Sequence, residues 1–81
     1  MNYNTIRNDI ETLVKMVAAK ANETAIAWGW YEVGHIMARI VIINGVDIEY
    51  ALTDGNRVQY ADNLGRLAKA VEWELNQGID F

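Results

Sequence analysis

An Asn-Gly pair at the middle of the chain limits the fold more than any other feature. Asn44-Gly45 stands between two apolar stretches, IMARIVII before it and VDIEYALT after it. A two-residue turn with positive φ at both central positions matches the twist of paired strands, and Asn-Gly tolerates that backbone. A two-residue loop here pairs Ile43 with Val46, Val41 with Ile48, Arg39 with Tyr50 and Met37 with Leu52 on one sheet face. Ile42 and Asp47, Ile40 and Glu49, and Ala38 and Ala51 then share the other.

The two strands differ in kind. The later one alternates, with Val46, Ile48, Tyr50 and Leu52 one way and Asp47, Glu49 and Ala51 the other, as in a half-buried antiparallel strand. The earlier one is apolar on both faces, which suits a central strand. A further strand over 24–32 flanks it. With a turn at Val33-Gly34, Ile26, Trp28 and Trp30 join the face of Val41 and Met37, while Ala25, Ala27, Gly29 and Tyr31 join Ile40 and Ile42. A slip of one residue would exchange those faces.

Outside this stretch the apolar period becomes helical. Ile6, Ile10, Leu13, Val14, Val17 and Ala21 form one stripe, with Asn2 or Asn4 as the cap. Tyr60, Leu64, Leu67, Ala68, Val71 and Leu75 form a second, with Gly78 as its C-terminal stop and Ile79 folding back. Gly65 inside this helix points to a close approach. The expected fold is therefore α+β, a single domain over 1–81. A three-stranded antiparallel meander carries two helices on one face (helix ~4–22, strands ~24–32, 35–43 and 46–53, helix ~60–77). Asp54-Gly55 leaves room for a short fourth strand near 57–60.

Two helices cover one face of such a sheet. The expected covered face carries Ile26, Trp28, Trp30, Val41, Ile43, Val46, Ile48 and Leu52. Arg39 on that face is placed at an edge, stacked on Trp28 or Tyr50 with its head in water. The face left over shows Tyr31, Ile36, Ala38, Ile40 and Ile42, an apolar patch of the size that marks an interaction site. Self-association as a homodimer through those residues is the expectation, with a different docking protein as the other reading.

Composition bounds the function. With 81 residues, 52% of them apolar, the chain suffices for one core, and with no Cys it has neither disulfides nor thiolate metal ligands. Neither a leader-like stretch nor an apolar run of membrane-spanning length is visible, so a cytoplasmic protein without a membrane role is expected. A formal charge of −4 argues against direct binding to nucleic acid. The order helix, three strands, helix resembles that of double-stranded-RNA-binding domains in topology. Those domains reach phosphates with lysines at the start of the last helix, where this chain has Gln59-Tyr60-Ala61-Asp62-Asn63, so the function does not carry over.

Chemistry-bearing residues are sparse. His35, the single histidine, falls in or beside the first turn, and the chain has neither Ser nor Cys. Asp47 and Glu49 share a face at a spacing that would allow acid–base work or cation binding, but such a pair on a regular strand is ordinarily solvated surface. No catalytic set, metal site or cofactor is expected. The reading is a non-enzymatic protein–protein interaction module. A small acidic inhibitor or adaptor of the kind phages and mobile elements encode would fit, blocking the basic nucleic-acid-binding surface of a larger protein. Asp47, Glu49, Asp62 and Glu72 supply the charge, and Trp73, projected outward from the last helix, supplies the aromatic anchor. The alternative is a small-ligand-binding protein using Trp28, Trp30 and Tyr31.

Overall fold

In the computed structural model, residues 2–77 are described. Asn2 is extended, and its side chain accepts the Thr5 N–H at 2.9 Å, which starts helix α1 (Tyr3–Ala21). The stripe read from the sequence is the buried one. Ile6, Ile10, Val17 and Ala21 are in the core, with Leu13 and Val14 packed against it. Glu23 N–H and the Thr24 hydroxyl both reach the Lys20 carbonyl, at 3.0 and 3.3 Å, and turn the chain into the sheet.

The sheet has four antiparallel strands in sequential order, β1 (Ile26–Val33), β2 (Ile36–Ile43), β3 (Asp47–Thr53) and β4 (Val58–Ala61). The short fourth strand is present. β1 and β2 are joined by a two-residue turn at Gly34-His35, with Gly34 at φ +61°. That is one residue later than a Val33-Gly34 turn. The pairing moves by two residues, so the faces stay as expected, with Trp28 opposite Val41 and Ile26 opposite Ile43.

The second turn differs from expectation in a way that matters. Asn44 (φ +53°) and Gly45 (φ +76°) do form the tight turn, closed by Val46 N–H to the Ile43 carbonyl at 3.2 Å. Val46 is then passed over, and Ile43 pairs with Asp47. This one-residue slip carries Ile48, Tyr50 and Leu52 to the side of Ile42, Ile40 and Ala38.

That side is where both helices lie, so the expected assignment of faces is inverted for β1 and β2, while Ile48 and Leu52 of β3 lie on the helix side as expected. Ile36, Ala38, Ile40 and Ile42, expected as an open self-association surface, are core residues at 0–2% exposure, and Tyr31 is packed against that core. Ile26, Trp28 and Trp30, expected under the helices, are each about half exposed. The reason is steric. A helix packs closely only over small side chains, and Ala27, Gly29 and Ala38 provide them. A Cβ added at Gly29 would lie 2.9 Å from both Leu13 Cδ1 and Val17 Cγ2 of α1. Two tryptophans in the same place would hold the helix off.

Asp54 shapes the β3–β4 connection. Its carboxylate accepts the N–H groups of Asn56 and Arg57 at 2.9 and 3.1 Å, and those donors hold it below the usual carboxylate range. Helix α2 (Leu64–Gln77) starts later than expected. Asn63 caps it, accepting Arg66 N–H on its side chain at 2.8 Å and Leu67 N–H on its carbonyl at 3.0 Å. Tyr60, expected in the helix stripe, is a β4 residue at 62% exposure. Leu67, Ala68 and Val71 seal the core from this side. Gly65 approaches α1, where an added Cβ would meet the Tyr3 hydroxyl at 3.4 Å, and Lys69 sits 4.4 Å over the Tyr3 ring. The helix stop expected at Gly78 and Ile79 lies outside the described residues.

Candidate interaction surface

The open face of the sheet follows from the register. β1 presents Ile26, Trp28, Trp30 and Glu32, and β2 presents Ile43, Val41, Arg39 and Met37 opposite them. β3 adds Asp47, Glu49, Ala51 and Thr53, and β4 adds Tyr60 and Val58. One row runs across all four strands as Trp30, Arg39, Ala51 and Tyr60. Trp28, Trp30, Val58 and Tyr60 are 53–62% exposed. Large aromatics gathered on one side of a small protein are uncommon, since an ordinary surface scatters its apolar side chains singly.

Arg39 stands at the centre of this face, on an inner strand rather than at the expected edge. Its partner is Glu49, one row along on β3, with Nη2 donating to Oε1 at 3.2 Å. Tyr50, an expected stacking partner, points to the other face. The Arg39 Nε is shielded from solvent and has no hydrogen-bond partner. The inner edge of the guanidinium is therefore covered by neighbouring side chains, while the Arg39 side chain as a whole keeps 41% of its surface in solvent. The remaining charges on the face are acidic, Glu32 and Asp47 at its margins.

The expected partner-binding residues do not share one surface. Asp47 and Glu49 are on the open sheet face. Trp73 is exposed on α2 at 59%, away from the sheet, and Asp62 is exposed in the link before that helix. Glu72 is partly covered, 3.9 Å from Lys69. The expected aromatic cluster also divides. Trp28 and Trp30 face outward, while Tyr31 faces α1 and its hydroxyl donates to Asp9 Oδ2 at 3.0 Å. Burial, that hydrogen bond and the Asp9 charge push the Tyr31 phenol up to about 12.

Beside β1 runs a groove of about 560 Å³, bounded by Leu13, Met16 and Lys20 of α1 and by Ile26, Trp28 and Trp30 of β1. His35 sits in the exposed β1–β2 turn, at the opposite end of β2 from Asp47, so these groups are not brought together. Among the described residues no group of three or more His, Asp and Glu side chains could hold a metal ion, and no helix is long and apolar enough to cross a membrane. Tyr60, Val58 and Met37 belong to the open face but were not singled out from the sequence. The alternation Val58-Gln59-Tyr60 after the Asp54-Gly55 turn is the signal that would have found the first two. No protein-family model, curated protein or solved structure matches the chain.

Proposed function

We propose that this chain is a non-enzymatic protein-interaction module whose docking surface is the open face of the sheet. The observation that carries the reading is the row Trp30–Arg39–Ala51–Tyr60, together with Trp28, Val41 and Val58 around it. Half-exposed Trp and Tyr flanking an arginine are the side chains that dominate protein interfaces. Glu32, Asp47 and Glu49 outnumber Arg39 on this face, and the chain is acidic as a whole. That balance favours a partner with basic groups around an apolar patch and disfavours a polyanion. A small acidic inhibitor that covers the basic, nucleic-acid-binding surface of a larger protein fits this chemistry. Trp73 on α2 and Asp62 in the link before it are further points of attachment in this reading.

The test uses wild type and Val41→Glu as paired baits for a panel of basic nucleic-acid-binding proteins. Val41 lies mid-face and outside the helix-covered core, so the variant keeps the fold. The proposal expects a partner held by wild type, lost in Val41→Glu and weakened by raised salt. Equal retention by both baits would refute it.

A second reading has one observation in its favour. The groove beside β1 has the volume and the apolar lining of a small-ligand site. Quenching of tryptophan fluorescence by an apolar metabolite, abolished by Met16→Glu, would establish it.

A further inference from the structure

The two edges of the sheet are unlike. β4 is four residues long and flanked by Arg57 and Asp62, a short edge of the kind that resists pairing. β1 is eight residues long and regular, and carries no Pro, no Lys and a single charge, Glu32, near its end. Asn44 N–H donates to the Ala25 carbonyl at 2.6 Å, so the odd-numbered residues of β1 exchange bonds with β2. By alternation the N–H and C=O groups of Trp28, Trp30 and Glu32 point to the free edge. The Ile26 N–H and carbonyl point the same way, and the carbonyl, which accepts the Thr24 hydroxyl at 2.9 Å, keeps a second lone pair for a partner strand. A long apolar edge with no protection is a pairing surface for another strand.

We infer that β1 pairs antiparallel with β1 of a second copy, joining two sheets edge to edge into one of eight strands. Three observations select this occupant. First, the outward row is self-complementary about Trp28. With Trp28 on the two-fold axis, Ile26 meets the partner's Trp30 and Glu32 meets the partner's Thr24, so apolar residues face apolar ones and no like charges meet. Second, α1 runs antiparallel to β1 beneath it, as Tyr31 reaches Asp9 and Gly29 lies over Leu13 and Val17. Met16 therefore lies beside the axis at 58% exposure, and the same rotation brings it to the mouth of the partner's groove. Third, the available area is of the right order. Met16, Ile26, Trp28 and Trp30 are all more than half exposed and offer on the order of 400 Å² of apolar surface per copy. That is about half of the ~800 Å² per partner of a standard interface, before the paired backbone is counted. The dimer would draw Trp28 and Trp30 toward the seam and leave Arg39, Val41, Val58 and Tyr60 of the open face accessible, and the inference does not depend on the function proposed above.

The experiment is the solution mass by light scattering over a dilution series, for wild type, Met16→Glu and Tyr60→Lys. It is paired with amide exchange on wild type. The expected result is a wild-type dimer, a folded Met16→Glu monomer and a Tyr60→Lys dimer. The amides of Trp28 and Trp30 should be protected at high concentration and lose that protection on dilution, since an unpaired edge amide exchanges freely. A monomeric wild type at every concentration would overturn the inference, and a ligand-induced fluorescence quench in that monomer would give the groove to a small molecule. A dimer lost in Tyr60→Lys but kept in Met16→Glu would also overturn it, placing self-association on the sheet face. Because the exchange readout uses wild type alone, an unfolded variant leaves the question decidable.

Discussion

Gly29→Ala tests the packing that decides which sheet face is covered. The new Cβ would stand 2.9 Å from Leu13 Cδ1 and 2.9 Å from Val17 Cγ2. Both distances fall about 0.6 Å short of a comfortable carbon–carbon contact near 3.5 Å. The two neighbours respond differently. Leu13 is only partly buried and can swing its terminal methyl aside. Val17 is β-branched, hence stiff at χ1, and 1% exposed. Overpacking of this kind costs about 1–3 kcal/mol. Replacing a glycine returns about 0.5–1 kcal/mol through the unfolded chain. The expected net loss is about 1–2 kcal/mol. Urea denaturation followed by far-ultraviolet circular dichroism reads it as a drop in midpoint of about 1–2 M, with a slope near ~1 kcal/mol/M for a domain of this size. Val17→Ala alone should cost about 2 kcal/mol through lost burial and a cavity. The double variant should cost about 1 kcal/mol less than the sum, because the second change makes room for the first. A neutral or stabilising Gly29→Ala, or strict additivity, would refute the argument that α1 sits against this glycine.

Ile40→Glu should fail to fold, because it places an unpaired carboxylate at a fully buried site under both helices; a folded, soluble variant by circular dichroism would show that this face is open after all. Trp73→Ala should leave the free energy of unfolding within about 0.5 kcal/mol of wild type, since the side chain is mostly in solvent, and a weakened partner complex would identify it as an anchor. Tyr31 should make stability fall with rising alkali. Its phenol is held to about 12 in the folded chain against about 10 unfolded, so its contribution is complete below pH 10 and is lost as pH rises from about 10 to 12. Tyr31→Phe should flatten that part of the stability–pH curve, and an unchanged slope would show that burial and the Asp9 hydrogen bond do not hold the Tyr31 phenol up in solution. Asn63→Ala should cost about 1 kcal/mol, measured by thermal unfolding, through loss of the cap on α2.

Much of the fold was legible in the sequence because its signals are local. The six-residue stripe from Ile6 to Ala21 defined α1, Asn44-Gly45 marked the turn it forms, and the outward projection of Trp73 follows from helical period alone. The fourth strand was visible as one of two readings of the residues after Asp54-Gly55. Tyr60 was misplaced because it fits both a helix stripe beginning at 60 and a strand ending at 61. The Asn63 cap decides between them, since its bonds to Arg66 and Leu67 fix the first helical residue at Leu64. The candidate surface was half legible. Trp28, Trp30, Asp47 and Glu49 were named as candidate binding residues, and they share the open face, but Tyr31 was grouped with the two tryptophans although it serves the core.

The sequence by itself determined the first helix, the three long strands, their order and which neighbours pair, because period and turn chemistry act over a few residues. Only the tertiary structure decided which face of the sheet the helices cover. That choice turned on Val46, the one residue passed over after the Asn-Gly turn, which moves every side chain of β3 to the other face relative to β2. It also turned on Ala27, Gly29 and Ala38, small residues that look expendable along the strand. Their value appears only when Leu13 and Val17 of a helix distant in sequence are pressed against them. Side-chain volume under a helix is a property of residues brought together by folding, so no window along the chain contains it.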